Sequence, residues 1–250
     1  MKDMHLISAA LLLGVAGLST AEASSMNEHS AAHDWSGAYL GFHLGYGWGE
    51  ADFKDDTYNG GVAPFPVVNW DADANGALMG LQAGYNWQRG SLVWGLEGEV
   101  GYLDIDERKL QPGLDPFGDP YDASGTVDSD WYAGLGIRVG YALERTLLYA
   151  KLGGVYSRAE VGFIDQCITG SCGTGLIDAS QRVGWGYQLG AGLEYALAES
   201  WTVKAEYTYM DFGSTTVRGT AEGVGFAGRS FKVDADLVLH SLKVGMNYRF

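Results

Sequence analysis

From about residue 37 onward, apolar and polar side chains alternate with a period of two in eight runs, separated by segments richer in Gly, Asp and Ser. Neighbouring side chains of a strand point to opposite faces, so each run predicts a strand with one apolar face. The runs lie near 37–49, 78–88, 92–103, 131–143, 146–157, 183–197 and 201–211, and the last is the terminal stretch from Leu242 to Phe250. In that stretch Leu242, Val244, Met246, Tyr248 and Phe250 share one face, and Lys243, Gly245, Asn247 and Arg249 share the other. In the first run Leu40, Phe42, Leu44, Tyr46 and Trp48 alternate with Tyr39, Gly41, His43, Gly45 and Gly47. Each run is about long enough to cross a bilayer as a tilted strand, which takes roughly 9 to 11 residues.

The connections alternate between long and tight. Residues 50–77, 104–130, 158–182 and 212–235 read as long loops, whereas 88–91, 143–146 and 197–200 read as tight turns. Long outer loops, short periplasmic turns and an even strand number are the asymmetry of a transmembrane barrel. The expected fold is therefore all-β: a closed, eight-stranded, antiparallel transmembrane barrel over 35–250.

Polarity separates this fold from a soluble barrel, which would hold its aliphatic side chains inside and its charges outside. Here the charges share a face with the glycines, and a lumen just wide enough for side chains cannot take the Trp, Tyr and Leu row. Trp35, Trp48, Trp87, Trp94, Trp131, Trp185 and Trp201 fall near segment ends, where interfacial girdles are expected. The predicted lumen carries Glu97, Glu99, Glu194 and Glu206 with Arg138, Lys151, Lys204, Lys243 and Arg249. Each unpaired buried ion costs several kcal/mol, so a near balance of sign favours a structural plug; a narrow gated ion path, and hence a small-solute or ion porin, is the alternative.

The amino terminus reads as a secretory signal peptide over 1–23: Lys2, an apolar run over 6–18, then Ala21-Glu-Ala23. A polar periplasmic lead with His29 and His33 follows over 24–34. The chain holds 38 glycines, 15 tyrosines and 8 tryptophans in 250 residues, a composition too aromatic for disorder. Its formal charge of −15, or −14 once Lys2, Asp3 and Glu22 are removed, argues against nucleic acid, which requires clustered cations. Cys167 and Cys172, the only two cysteines, are expected to form a disulfide that staples one loop.

Other motifs carry less. Asp71-Ala-Asp-Ala-Asn-Gly76 copies half of a calcium-loop signature, but Gln82 stands at the twelfth position and a strand follows. Gly223-Val-Gly-Phe-Ala-Gly228 matches a dinucleotide fingerprint without the helix that would present its N-terminus to phosphate. His240 and Ser241 are strand neighbours facing opposite ways, so they cannot act as base and nucleophile, and no enzyme is expected. No metal or resident cofactor is expected; haem is the one cofactor considered, through His43, His240 or the lead histidines, and polar or girdle roles suit these residues better.

Five stretches carry a family resemblance: Trp35-Ser-Gly-Ala-Tyr-Leu-Gly41, Gly80-Leu-Gln-Ala-Gly-Tyr-Asn-Trp87, Gly95-Leu-Glu-Gly-Glu99, Lys204-Ala-Glu-Tyr-Thr-Tyr-Met-Asp-Phe-Gly213 and Asn247-Tyr-Arg-Phe250. Together they resemble the small outer-membrane immunogenic proteins of alphaproteobacteria, of the opacity-protein-like, porin-family barrel group. The resemblance implies an outer-membrane location and insertion by barrel-assembly machinery that reads the terminal aromatic strand, here Tyr248 and Phe250. It also implies contact with outer-membrane lipid and lipopolysaccharide, roles in envelope integrity and as a surface antigen, contact with host surface molecules through the loops, and haem binding in some members. No catalytic residues transfer with it.

Overall fold

The computed structural model describes residues 33–55, 68–114, 123–165, 177–220 and 230–250. They form β1 (Gly37–Asp55), β2 (Val68–Asp73), β3 (Gly76–Arg89), β4 (Leu92–Leu110), β5 (Ala123–Leu143), β6 (Thr146–Asp165), β7 (Ile177–Ala196), β8 (Trp201–Thr220) and β9 (Ser230–Arg249). All pairings are antiparallel, and β1 pairs with β9 from Tyr39–Arg249 to Asp55–Val233, which closes the ring. β2 and β3 pair with β1 in one continuous register, Glu50–Asp73 above and Gly47–Gly76 below. They are one strand interrupted at Ala74 and Asn75, so nine strands build eight walls. The three tight turns fall where the sequence places them, with Gly90 (φ 61°) and Glu144 (φ 51°) taking the left-handed conformation such turns require.

One half of the barrel follows the predicted inverted polarity. Leu44, Leu81, Leu96, Val100, Ile137, Leu189, Leu193 and Val244 point outward along a continuous apolar band, and Leu135 reaches 67% exposure. A band of this extent facing water would be an aggregation surface; facing hydrocarbon it is the membrane belt. Tryptophans border it on both sides, Trp87, Trp94 and Trp201 near the tight turns and Trp48 and Trp185 at the opposite rim.

Beyond that rim the structure departs from the expected long loops. Residues 50–55, 68–73, 104–110, 123–130, 158–165, 177–182, 212–220 and 230–235 continue as strand. Here the polarity reverses: Glu50, Asp52 and Lys54 of β1 point outward while Ala51 and Phe53 are buried. The same reversal places Trp70, Ile105, Val127, Val161, Phe163, Val217, Phe231 and Val233 in a common apolar core. Water surrounds this extension, so the ordinary rule of apolar inside and charged outside holds again.

In the extension the ring is a flattened continuation whose hydrogen-bonded ladder is interrupted on two sides. The β3–β4 ladder stops at Leu78–Leu103 and the β7–β8 ladder stops at Tyr187–Asp211, although the strands on both sides continue. What remains above is β8-β9-β1-β2 on one side and β4-β5-β6-β7 on the other. These two four-stranded sheets face each other as a sandwich. Trp70 meets Phe163 with ring centroids 6.1 Å apart, and Phe163 meets Phe231 at 5.9 Å, each pair spanning the two sheets. Bulges mark the transition in four ladders, at Tyr102/Ile105, Asp128/Tyr132, Ser157/Glu160 and Asp211/Ser214. At two of the kinks Gly184 (φ 83°) and Gly213 (φ 64°) supply the left-handed residue.

Candidate functional site

Among the described residues the densest set of chemically active side chains fills the membrane half of the lumen. β4 supplies Glu97 and Glu99, β5 Arg138, β6 Lys151, β7 Glu194, β8 Lys204 and Glu206, and β9 Lys243; the side chain of each is at most 3% exposed. They converge because each occupies the glycine-sharing face of its strand, at the height where the ring is fully paired.

Lys151 is the hub, with its Nζ 2.8 Å from Glu206, 3.1 Å from Glu97 and 3.1 Å from Glu99. Lys243 bridges Glu99 at 2.8 Å and Glu206 at 2.9 Å, and Lys204 lies 3.3 Å from Glu97 and 3.4 Å from Glu206. Arg138 donates to Glu194 at 2.7 Å and to Glu97 at 3.3 Å, with its guanidinium 4.1 Å from the centre of the Tyr149 ring. Four carboxylates thus meet four cations in a space closed to water. Uncompensated, each ion would cost several kcal/mol; interlocked, the set fixes the register of the strands that carry it.

Neutral donors complete the network, and they were not singled out from sequence although they occupy the same inward rows. Tyr39 donates to Glu97 at 2.8 Å, Tyr149 to Glu206 at 2.7 Å, Thr208 to Glu206 at 3.1 Å, and Thr202 and Asn247 to Glu194. The hydroxyls fit only where the facing residue is glycine. A Cβ on Gly84 would lie 2.3 Å from the Tyr39 oxygen, and one on Gly192 would lie 2.7 Å from that of Tyr149. This is the physical use of the glycine row.

Arg249 is a correction to the nine-charge set. It lies at the periplasmic mouth, donating to the Ser36 carbonyl at 2.7 Å and to the His33 ring, with its guanidinium 5.8 Å from the Trp35 ring centre. Trp35 is a second correction. It has no exposure and packs with Val93, Ala142, Leu147, Tyr149 and Ala196, so it stoppers the lumen and takes no part in the girdle. An aromatic two residues before a strand reads alike in both roles; only its fold against the interior separates them.

Of the remaining candidates, His43 is buried with Nδ1 at 2.6 Å from Gln82 Oε1 and Nε2 at 2.9 Å from the Tyr132 hydroxyl. Both ring nitrogens are engaged, which leaves none for iron. His240 projects outward, stacked on Trp48 at 5.9 Å and hydrogen-bonded to Tyr207 at 2.7 Å, while Ser241 faces the lumen. Asp71 and Asp73 sit on β2, where Asp71 pairs with Lys109 at 2.9 Å. The hydrogen bond from Lys109 holds the Asp71 carboxyl below its ordinary pKa. No group of three or more metal-capable side chains occurs among the described residues. At the terminus Tyr248 pairs with Leu40 and Trp201, and the Phe250 ring packs against it at 5.2 Å on the outer face. Cys167, Cys172, His29, the 223–228 glycine motif and the 1–23 segment lie outside the described residues.

The ring topology, the lipid-facing band and the charged lumen together specify an outer-membrane barrel, and comparison with known proteins gives the same answer. Residues 8–250 match the family described as the outer membrane protein beta-barrel domain. The chain belongs to this family. It is 31% identical over 222 residues to the 25 kDa outer-membrane immunogenic protein of Brucella ovis, covering 86% of this chain and 91% of the relative. It is 28% identical over 218 residues to the 31 kDa outer-membrane immunogenic protein of Brucella melitensis, covering 86% and 84%. Among solved structures, the outer membrane protein OprG of Pseudomonas aeruginosa aligns over 88% of this chain and 98% of its own, with a TM-score of 0.52 at 16% identity, a likeness of fold. The protein is an outer-membrane β-barrel of a Gram-negative bacterium.

Proposed function

We propose that the protein is a structural and surface-contact component of the outer membrane, a sealed barrel that carries a rigid sandwich on the cell exterior. The seal supports this reading most directly. From the periplasm outward the described residues fill the lumen with the Trp35 stopper, the eight-charge network and the apolar core of the extension in succession. An eight-stranded interior is about filled by its own side chains, which weighs against the porin alternative.

On this reading the apolar band meets lipid and lipopolysaccharide, the terminal aromatic strand is what the assembly machinery receives, and the sandwich with its connecting segments is the antigenic and host-facing surface. The names of the Brucella relatives support the antigenic part. No catalytic role is assigned, since His240 and Ser241 lie on opposite faces of β9. Planar-bilayer recording of refolded, purified protein tests the seal. The expected trace shows no sustained openings; steady, ion-selective conductance would overturn the sealed reading in favour of a porin.

A further inference from the structure

Five cations are buried among the described residues: Arg138, Lys151, Lys204, Lys243 and Arg249, none more than 8% exposed. The first four each lie within ion-pair distance of a carboxylate of the lumen network. Arg249 has no ion pair among the described residues. Taking a charge out of water is costly unless an opposite charge and hydrogen bonds replace the water, so this guanidinium calls for a counter-ion.

Its protein partners are neutral acceptors. Nη2 donates to the Ser36 carbonyl at 2.7 Å, Nη1 contacts the His33 ring, and Nε is buried with no partner. The two carboxylates that act on it electrostatically, Asp34 and Glu194, are turned elsewhere. Asp34 accepts from the amide and the hydroxyl of Ser36, and Glu194 accepts from Arg138 at 2.7 Å. Arg145, the other cation near His33, is exposed and donates to the Leu197 carbonyl at 2.8 Å.

Trp35 shows a matching deficit. It has no exposure, its indole N–H has no acceptor, and its ring centre lies 5.8 Å from the Arg249 guanidinium and 4.8 Å from the His33 ring. Buried donors of this kind are rare in folded proteins and mark a missing partner. Arg138 also leaves Nε idle, but its guanidinium already carries Glu97 and Glu194. The periplasmic mouth thus gathers two idle donors and one uncompensated positive charge; a carboxylate brings two acceptors and one negative charge.

We propose that the periplasmic mouth is a carboxylate site, with one oxygen accepting from Arg249 Nε–H and the other from the Trp35 indole N–H. Hydrogen bonds between arginine and a carboxylate are stronger than neutral ones, and the planar guanidinium suits the planar acid. The acid has two available sources, a solute of the periplasm or Glu28, which is the one acid in the 24–32 lead. In either case the site faces the periplasm and is independent of the surface-contact role at the opposite end.

The test uses the folded full-length protein in nanodiscs, with 15N in its arginine and tryptophan side chains, titrated with sodium acetate at neutral pH and an ionic strength held constant with sodium chloride. A solute site predicts saturable shifts of the Arg249 Nε–H and Trp35 indole resonances, with Arg138 unmoved. Arg249→Lys keeps the charge but loses the Nε–H donor and should weaken acetate binding at least tenfold. Trp35→Phe keeps an aromatic ring and should weaken it at least threefold, with heat-modifiable gel mobility confirming that each variant is folded. If Glu28 fills the site, acetate moves neither resonance in the wild type, whereas Glu28→Gln shifts both and admits acetate, and the two variants are then measured in that background. Absence of an acetate response in both wild type and Glu28→Gln, shifts of the same size on raising sodium chloride alone, or unchanged affinity in Arg249→Lys or Trp35→Phe would each overturn the two-donor site.

Discussion

Arg138 donates through Nη2 to Glu194 at 2.7 Å, and neither side chain is more than 3% exposed. The pair ties β5 to β7 across β6, the strand that separates them in the ring. Arg138→Met should leave Glu194 buried with only Thr202 and Asn247 as donors, and should destabilise the barrel by about 3–5 kcal/mol in urea unfolding from micelles. Adding Glu194→Gln should recover part of that loss, because the second change removes the stranded charge. Equal stability of Arg138→Met and wild type would mean that water reaches the lumen.

Leu193 and Glu194 are chain neighbours with opposite surroundings, lipid for one and the charge network for the other. Leu193→Arg should cost about 2–4 kcal/mol if the position lies near the bilayer midplane. Its cost should shrink in thinner bilayers, where the guanidinium reaches the headgroups, whereas the cost of a lumen change such as Arg138→Met should not vary with thickness. Unfolding titrations in two lipids of different chain length separate the cases.

How far this fold was legible in the sequence depended on which solvent faced each segment. Below the outer rim the contrast between Leu242, Val244 and Tyr248 on one side and Lys243, Asn247 and Arg249 on the other is sharp, because lipid and a charged lumen are extremes of polarity. Above the rim Glu50-Ala51-Asp52-Phe53-Lys54 alternates just as strictly, but with the opposite face apolar, and its acids suggested a loop. In β5, β7 and β8 a bulge also moves the inward positions from even to odd numbers, as from Phe212 to Val217, so a single period cannot be followed through. The lumen charges were visible as a row, whereas the separation of Arg249 from the network depends on Trp35 folding inward, which no periodicity encodes.

Gly192 lies against Tyr149, whose hydroxyl donates to Glu206. Gly192→Ala would place a Cβ 2.7 Å from the Tyr149 ring and as close to the Ala205 carbonyl oxygen. Overpacking of this kind should cost about 1–3 kcal/mol and disturb the hydrogen bond to Glu206. In a Tyr149→Leu background, which removes the ring but leaves the Ala205 carbonyl, the same Gly192→Ala change should cost measurably less. A double-mutant cycle on unfolding free energies measures this, and strict additivity would show that the glycine serves only its own backbone.

The periplasmic stopper should respond to acid. His33 accepts from Arg249, and burial, followed by the neighbouring guanidinium, lowers the pKa of its ring below the ordinary 6.5. The docked lead therefore favours neutral His33, and the undocked or unfolded chain binds the proton more readily. Linkage fixes the direction: the contribution of His33 is complete above about pH 6.5 and is lost progressively as pH falls below that value. Imidazole NMR titration should show His33 protonating at lower pH than a free histidine, with a 19F-labelled Trp35 reporting displacement over the same range. His33→Gln keeps an acceptor for Arg249 but cannot take up the proton, so Trp35 in that variant should stay in place through the window. If Trp35 moved identically in His33→Gln, the acid response would belong to another group.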